Sequence, residues 1–453
     1  MKTNLWENYE NEKGKEVEDF CKSYKEFLSN NKTERECTSF AVKMAEKNGF
    51  KPLEKLIKEN KKLNAGDKVY AVNMDKNVVL FVVGKRPFSE GLNIVGAHID
   101  SPRLDLKAKP LYECQGFCLL DTHYYGGIKK YQWTACPLAL HGVVIKKDGT
   151  KLDFVVGEND DCVVGISDLL PHLERGEKKE NVKGEDLNII AGNKPDTKAK
   201  ESKFKSFILN VLKQKGIDEE DFFSAEIEAV PAGKARDFGL DKSMVIGYGQ
   251  DDRVCAYTTL KAIMETKTPE NTAVCLLVDK EEIGSVGATG IHSKYFENTV
   301  AEVMNLCGQY DELNLRRALQ NSNMLSSDVT AGVDPNYLAV FNPETDAHLA
   351  KGISFNKFTG SYGKAGANDA NPEFIAKLRN CLDAKKVSYQ ATEMGKVDQG
   401  GGGTIAYIMA KFGMNVIDAG VPVLNMHAPW EITSKVDIYE AFRCYVEFFK
   451  MKN

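Results

Sequence analysis

The sequence feature that most constrains the fold is an apolar run at 272–278 that ends in four charged residues. A run of this length, rich in aliphatic and β-branched residues, predicts a buried strand. The adjacent carboxylates Glu281 and Glu282 follow the end of that strand. Because neighbouring side chains of a strand point to opposite faces, we expect the two carboxylates to have different roles. One could bind a metal ion while the other transfers a proton.

Further strand and helix signals alternate on both sides of a β-rich middle segment. The pattern predicts one α/β domain, formed by residues 1–103 and 241–453 and interrupted by a β-rich module at 104–240. A chain of 453 residues is too long for one ordinary core, which also favours two domains. The predicted strands are 68–74, 77–83, 92–97, 224–230, 244–248, 272–278, 352–358 and 415–423, and the predicted helices are 34–47, 204–212, 253–264, one after Gly290 and one after Ser434.

Local signals predict three further features. Thr33 and Glu36 form the pattern of a capping box at the start of the helix at 34–47. Residues 143–155 are typical of a hairpin that turns at Asp148 and Gly149. Residues 175–205 are rich in Lys, Glu, Asn and Gly, which predicts a long mobile loop.

Composition excludes several classes of function. The formal net charge is -5, with 60 basic residues interspersed among 65 acidic ones, so no nucleic-acid face is expected. No apolar run approaches the about 20 residues that span a bilayer, and the N-terminus lacks the apolar core of a signal peptide. The 11 cysteines are scattered without a CxxC pair, which indicates reduced thiols in a cytoplasmic protein and disfavours a zinc site built from cysteine.

Acidic residues and histidines recur at the predicted carboxyl ends of strands, where open α/β sheets bind ligands. Two imidazoles with three or four carboxylates form an N/O ligand set that suits zinc, manganese or cobalt better than calcium or copper. Such a set can hold two ions ~3.5–4 Å apart, bridged by one carboxylate, with a nucleophilic water between them. A free carboxylate would then take the proton of that water and return it to a leaving amine. The residues are His98, Asp100, Asp251, Asp252, Glu281, Glu282, Asp328 and His427, and we expect them at the strand ends of one sheet.

Each of these residues also has an ordinary structural interpretation. The Glu281–Glu282 pair alone would be typical of a solvated surface, and a histidine at a strand end is more often structural than a ligand. Asp251 and Asp252 could cap the helix that follows them, and Asp100 could orient a turn. Their joint occurrence at predicted strand ends favours a site.

The chain resembles the aspartyl-aminopeptidase family of di-zinc metallopeptidases over nearly its whole length. The motifs that carry the resemblance lie at 97–102 (AHIDSP), 279–285 (DKEEIGS) and 426–427 (MH), with a weaker one at 334–337 (DPNY). The resemblance implies a zinc-aminopeptidase-like α/β catalytic domain with a central mixed sheet flanked by helices, interrupted by a smaller β-rich dimerisation domain. It also implies a homo-oligomer based on dimers, up to a tetrahedral dodecamer.

The resemblance assigns roles to single residues. Glu281 would be the general base, Asp100 would orient His98, and the Asp251–Asp252 peptide is expected to be cis. Substrate contacts would come from His172, reaching a neighbouring protomer's site, and from the glycine segment with Gly402 and Thr404. Two Zn²⁺ ions, or Co²⁺ or Mn²⁺ in their place, would be held by His98 and Asp328 on one side, Glu282 and His427 on the other, and Asp251 between them.

The chain departs from the family pattern at three places. Ala331 and Asp334 stand where many relatives have histidines, 133–138 lacks an acid–arginine pair, and 428–430 lacks a serine and an arginine before Glu431. The metal residues are intact, but the cation needed to select an acidic N-terminal residue is not identified. We therefore predict a metallo-aminopeptidase that removes an acidic or neutral N-terminal residue from peptides. The alternatives are another di-metal amide hydrolase, such as a carboxypeptidase or deacylase, and a non-catalytic oligomeric scaffold.

Overall fold

The computed structural model describes residues 3–9, 11–158, 162–173 and 182–453. Contacts between Cα atoms divide the chain into two compact units. The first unit comprises Met1–Asp100, Ala235–Met426 and Glu431–Asn453, and the second comprises Ser101–Lys234 and His427–Trp430. Among the helices of the described ranges, none is both long enough and apolar enough to cross a membrane.

Twenty-one strands and ten α-helices form these units over the described residues. The strands are β1 (Lys51–Pro52), β2 (Lys68–Asn73), β3 (Asn77–Val82), β4 (Asn93–His98), β5 (Arg103–Cys114), β6 (Phe117–Tyr125), β7 (Pro137–Ile145), β8 (Lys151–Val156), β9 (Val164–Gly165), β10 (Ile189–Gly192), β11 (Ala225–Pro231), β12 (Arg236–Phe238), β13 (Met244–Gly247), β14 (Ala273–Val278), β15 (Asn323–Ser326), β16 (Thr330–Ala331), β17 (Ile353–Asn356), β18 (Tyr389–Thr392), β19 (Asn415–Gly420), β20 (Pro422–Leu424) and β21 (Glu431–Ser434). The helices are α1 (Asn11–Asn30), α2 (Glu34–Lys47), α3 (Leu53–Lys58), α4 (Lys203–Gln214), α5 (Gln250–Glu265), α6 (Tyr295–Leu306), α7 (Glu312–Gln320), α8 (Pro372–Ala384), α9 (Ala406–Ala410) and α10 (Lys435–Lys450).

The centre of the first unit is a nine-stranded mixed sheet in the order β1-β2-β3-β14-β4-β15-β19-β17-β18. Its four middle strands, β14, β4, β15 and β19, are mutually parallel. All six residues of β14 and all six of β4 are buried, as expected for strands covered by helices on both faces. The predicted α/β class with a central mixed sheet is therefore confirmed.

The register of the parallel strands aligns their carboxyl ends. Val278 of β14 pairs with His98 of β4, and Ser326 of β15 pairs with Gly96. The segments that leave these strands therefore start from the same edge of the sheet, at the position where open α/β sheets bind ligands.

A second, five-stranded sheet in the first unit has the order β12-β13-β21-β20-β16. Asp251 and Asp252 follow β13 and His427 follows β20, so the prediction that all site residues lie at the ends of one sheet is wrong for these three. The run at 415–423, predicted as one strand, is divided into β19 of the central sheet and β20 of the smaller one. Pro422 begins β20, and proline has no N–H with which to continue a ladder.

Helices α1, α5 and α10 pack against one another through aromatic side chains. The rings of Phe20 and Tyr257 lie 5.6 Å apart, and those of Phe20 and Phe442 lie 4.8 Å apart. The predicted capping box of α2 is confirmed, because Thr33 accepts from Glu36 N and the Glu36 side chain accepts from Thr33 N. Helices α5 and α10 also contact β4, the strand that ends at His98.

The second unit is an antiparallel sheet in the order β11-β5-β6-β10-β9-β7-β8. Because β11 pairs with both β5 and β7, six of its strands close on themselves. The predicted hairpin at 143–155 is confirmed as β7 and β8, joined by a turn that contains Gly149 with φ +86°. The long loop predicted at 175–205 is interrupted by β10, because a short apolar segment there pairs with β6; its portion at 175–181 lies outside the described residues.

Candidate metal centre

His98 is the last residue of β4 and is almost fully buried. Its ring Nδ1 lies 2.9 Å from the carbonyl oxygen of Asp100 and 3.3 Å from Asp100 Oδ1. Since both neighbours of Nδ1 are acceptors, the ring proton belongs on Nδ1, where it is donated to Asp100. The lone pair of Nε2 is then directed toward the other acidic groups, as in a metal ligand.

Three carboxylates surround Nε2 of His98. The nearest oxygen atoms are Oδ1 of Asp251 at 3.1 Å, Oδ1 of Asp328 at 3.8 Å and Oε2 of Glu281 at 4.0 Å. Burial raises the pKa of Asp328 well above its usual value, and the charges of Asp252, Asp251 and Glu281 raise it further, while His98 opposes the shift. Although burial opposes it, hydrogen bonds to Asp100 and Asp251 and the charge of Asp328 raise the pKa of His98. The position beside Nε2 therefore attracts a positive charge.

The ligand atoms form two groups that share one residue. His98, Asp251 and Asp328 each offer an atom within 4.8 Å of the others, and the same holds for Asp251, Glu282 and His427. Each group combines one imidazole with two carboxylates, which is a donor set that zinc accepts. The residues present therefore fit a zinc centre, on the chemistry of their donors and on the crowding of negative charge around His98.

Asp251 is positioned by an unusual start to α5. The Asp251–Asp252 peptide is cis, as expected, and both residues have non-helical dihedral angles. The N-cap of α5 is Gly249, and the N–H of Asp251 donates to Oε2 of Glu431 at 3.0 Å. The aspartate pair thus does more than cap the helix, because it is held against the first residue of β21.

Three residues that support Asp251 were missed by the sequence analysis as parts of the site. Gln250 Nε2 donates to the carbonyl oxygen of Glu431 at 2.6 Å. The buried guanidinium of Arg253 donates to the carbonyl oxygens of Gly249 and Tyr248, which fixes the segment before the aspartates. Glu431 was noted only as part of a departure from the family pattern. In one sequence nothing marks these residues, because their contacts are to backbone atoms.

Glu281 and Glu282 lie in a short 3-10 turn, Glu281–Ile283, and not in the strand that precedes it. Lys280 enters the turn with φ +70°, so the alternation of a strand does not apply. Asp100 accepts from both backbone N–H groups, with Oδ1 3.1 Å from Glu281 N and Oδ2 3.2 Å from Glu282 N. The two carboxylates still separate: that of Glu281 faces His98, and that of Glu282 joins the group of Asp251 and His427.

Asp252 is a buried neighbour of the first group. Its Oδ2 accepts from the backbone N–H of His98 at 3.4 Å. Burial raises the pKa of Asp252 well above its usual value. The position of Asp252 at a predicted strand end indicated no role in the site, and this hydrogen bond links Asp252 to the backbone of His98.

His427 of the second group follows β20, whereas the residues predicted to contact substrate belong to neither group. His427 has φ +66° and its Nδ1 lies 2.9 Å from the carbonyl oxygen of Gly127. His172 lies in an exposed turn at 171–173 of the second unit. Thr404 Oγ1 donates to Asp418 Oδ1 at 2.6 Å, and the carbonyl oxygen of Gly402 accepts from Gly360 N at 2.8 Å. The glycine segment is therefore anchored at two points to the first unit.

Gly420 provides the close approach that the Asp328 backbone requires. A Cβ atom at Gly420 would lie 1.6 Å from the carbonyl oxygen of Asp328 and 2.4 Å from its carbonyl carbon. Any larger residue would displace the backbone that carries this carboxylate.

Comparison with known proteins gives one consistent result. The family described as "Aminopeptidase I zinc metalloprotease (M18)" matches residues 27–449. A probable M18 family aminopeptidase 1 of Clostridium acetobutylicum is 57% identical, over 98% of this chain and 97% of the relative. The crystal structure of an M18 family aminopeptidase from Thermotoga maritima has a TM-score of 0.95 at 42% identity and covers 100% of both chains. The mApe1 dodecamer of S. cerevisiae has a similar fold, with a TM-score of 0.77 at 20% identity over 96% of this chain and 97% of that one.

We expect Gly420→Ala to weaken zinc binding by at least about 10-fold, because the new methyl group pushes Asp328 out of its group. Competition with a chromogenic chelator measures this affinity. Gly363→Ala is the matched control, because Gly363 is exposed and a Cβ there meets no atom within 4 Å. An unchanged zinc affinity in a folded Gly420→Ala protein would contradict the assignment of Asp328.

Proposed function

The chain belongs to the M18 family of zinc aminopeptidases, and from this membership we propose that it hydrolyses the N-terminal peptide bond of peptides with Glu281 as general base. The observation that carries this proposal is the pair of ligand groups that share Asp251, with Glu281 beside the first group. Glu281 is half-buried, so its carboxylate is accessible to a water molecule and to a leaving amine.

We propose that the two groups hold two zinc ions. His98 and Asp328 would bind one, Glu282 and His427 the other, and Asp251 would bridge them. Zinc held by these residues would lower the pKa of a water molecule and act as a Lewis acid for the scissile carbonyl. Cobalt or manganese would suit the same donors.

The proton transfers belong to the chain itself. Glu281 would accept the proton of the attacking water and return it to the leaving amine. Asp100 contacts both His98 and the turn that carries Glu281. It accepts a hydrogen bond from His98 Nδ1 and from the backbone N–H groups of Glu281 and Glu282. Asp100 would thereby fix the base relative to the ligand that it faces.

The substrate contacts are proposed from the family likeness. The segment with Gly402 and Thr404 would line the pocket for the N-terminal side chain, and its anchoring to Gly360 and Asp418 supports a fixed pocket wall. We propose a preference for acidic or neutral N-terminal residues. His172 is exposed, as a residue that reaches a neighbouring protomer's site must be.

The β-rich insert at 104–240 is proposed as the dimerisation domain of a homo-oligomer. Its support is the compact second unit, Ser101–Lys234, whose closed antiparallel sheet is independent of the central sheet of the first unit. We propose a cytoplasmic location, which the eleven free thiols favour.

Two other functions compete with the aminopeptidase. A carboxypeptidase or deacylase would use the same ligand groups and the same base. A non-catalytic oligomeric scaffold would keep the fold without needing Glu281. The intact donor set and the positioned base favour catalysis over the scaffold.

We expect Glu281→Gln to lower kcat by about 10²- to 10⁴-fold while zinc content stays at the wild-type level, because the base is lost but no proposed ligand is. Metal content and steady-state kinetics are measured on the same preparation. Glu282→Gln is the matched comparison and should lose zinc as well as activity. A near-normal kcat in Glu281→Gln would show that another group is the base.

We expect cleavage of aminoacyl-fluorophores that carry a free amine, in the presence of added Zn²⁺, Co²⁺ or Mn²⁺, and no cleavage of the N-blocked forms. A panel with acidic, neutral and basic aminoacyl groups measures the preference, and acidic or neutral groups should give the highest kcat/KM. Faster cleavage of blocked substrates would favour the carboxypeptidase or deacylase, and no cleavage with any metal would favour the scaffold.

We expect the purified protein to form dimers or multiples of dimers of the 50.3 kDa chain. Light scattering during size-exclusion chromatography measures the mass at several concentrations. A monomer at micromolar concentration would contradict the dimerisation role proposed for the insert.

A further inference from the structure

Residues 279–290 form the loop that carries Glu281 and Glu282, and most of it is irregular. Its regular part is the 3-10 turn Glu281–Ile283. The outer residues, Ile283, Gly284 and 286–288, are exposed to solvent. An exposed loop of this kind moves readily unless specific contacts hold it, since few buried contacts stabilise one conformation. The position of the two carboxylates therefore depends on the contacts at the inner side of the loop.

Two buried side chains join the two ends of this loop. Thr289 Oγ1 donates to Asp279 Oδ2 over 2.5 Å. Asp279 is 1% exposed and Thr289 is 3% exposed, so water does not compete for this hydrogen bond. A hydroxyl that donates to a carboxylate makes one of the stronger hydrogen bonds of a protein. This hydrogen bond joins two residues that are ten positions apart in the chain.

Strands β2 and β3 and the backbone of the loop make further contacts at the same place. Asn77 Nδ2 donates to the carbonyl oxygen of Thr289, and Asn73 Nδ2 donates to that of Ala288, each over 2.8 Å. Inside the loop, Ser285 N donates to the carbonyl oxygen of Lys280 at 2.7 Å. Asn73 and Asn77 thus attach the end of the loop to the sheet. The hydrogen bond between Thr289 and Asp279 links this end to the beginning of the loop.

We propose that Asp279 and Thr289 are positioning residues that form a clasp, which holds the loop so that Glu281 and Glu282 stay at their two ligand groups. The clasp rests on the functions proposed above for these two glutamates. Asp100 accepts hydrogen bonds from their backbone N–H groups, and the clasp joins the two ends of the loop that carries them. Neither clasp residue belongs to the ligand groups, so the clasp acts through the loop alone.

A merely structural hydrogen bond would stabilise the fold without affecting the two glutamates. Thr299 provides the comparison, because its Oγ1 donates to the carbonyl oxygen of Tyr295 at 2.7 Å within α6 and it is 4% exposed. Thr299→Val and Thr289→Val each remove one buried hydroxyl group with little change of shape. Thr289→Ser keeps the hydroxyl and should restore whatever Thr289→Val loses.

The test uses the full-length chain with three measurements. Hydrogen exchange of the metal-free protein reports on the loop, zinc affinity reports on Glu282, and kcat and KM report on Glu281. In Thr289→Val we expect faster exchange at Gly284 and Ser285, weaker binding of zinc, and a kcat lower by about 10- to 100-fold with KM nearly unchanged. Thr289→Ser and Thr299→Val should resemble the wild type in all three measurements.

The outcomes separate the clasp from the function on which it rests. A folded Thr289→Val protein with wild-type exchange, zinc affinity and kcat overturns the clasp. If the wild type is inactive, the proposed function fails, and exchange and zinc affinity still decide the clasp. If Thr289→Val does not fold, Asp279→Ala replaces it, because it removes the acceptor of the same hydrogen bond; wild-type behaviour of Asp279→Ala in these measurements then overturns the clasp.

Discussion

The crowding of carboxylates around one buried imidazole is the constraint on which the rest of the structure depends. Oxygen atoms of Asp251, Asp328 and Glu281 lie within 4.0 Å of His98 Nε2. Like charges at such distances in a buried place are unfavourable unless they share protons or bind a cation. The fold must therefore hold these groups together against their repulsion, and a divalent cation turns the same arrangement into a favourable one.

The fold holds these charged residues together through hydrogen bonds and close contacts that involve backbone atoms. The two acceptors around Nδ1 of His98 both belong to Asp100, two residues further along the chain. Glu431 accepts a hydrogen bond from the backbone N–H of Asp251. The backbone of Asp328 passes so close to residue 420 that only glycine fits there. His98 cannot move away from the other groups without a movement of the end of β4, and a strand in the centre of a nine-stranded sheet is among the least mobile parts of a domain.

The sequence predicted the ends of the parallel strands well, because a buried strand has a strong local pattern. His98 ends such a strand and Glu281 and Asp328 follow others, and the segment that leaves each strand starts from the expected edge of the sheet. Asp251, Asp252 and His427 were assigned to the wrong sheet, because the strands before them, β13 and β20, both pair with β21, and this pairing has no local pattern in the sequence. The left-handed dihedral angles of Lys280 and His427 were also beyond the sequence, since neither residue is a glycine.

The residues that the sequence could not show share one physical property: they act through distant backbone atoms. Glu431 accepts from the backbone N–H of Asp251, which lies 180 residues away in the sequence. Asn77 donates to the carbonyl oxygen of Thr289, which lies 212 residues away. A ligand must have a particular side chain, so its type limits the choice in a sequence. A supporting residue needs only one donor or acceptor at the right place, and many residue types can provide it. The candidate ligands of such a centre can therefore be proposed from one sequence, whereas the contacts that orient them require the structure.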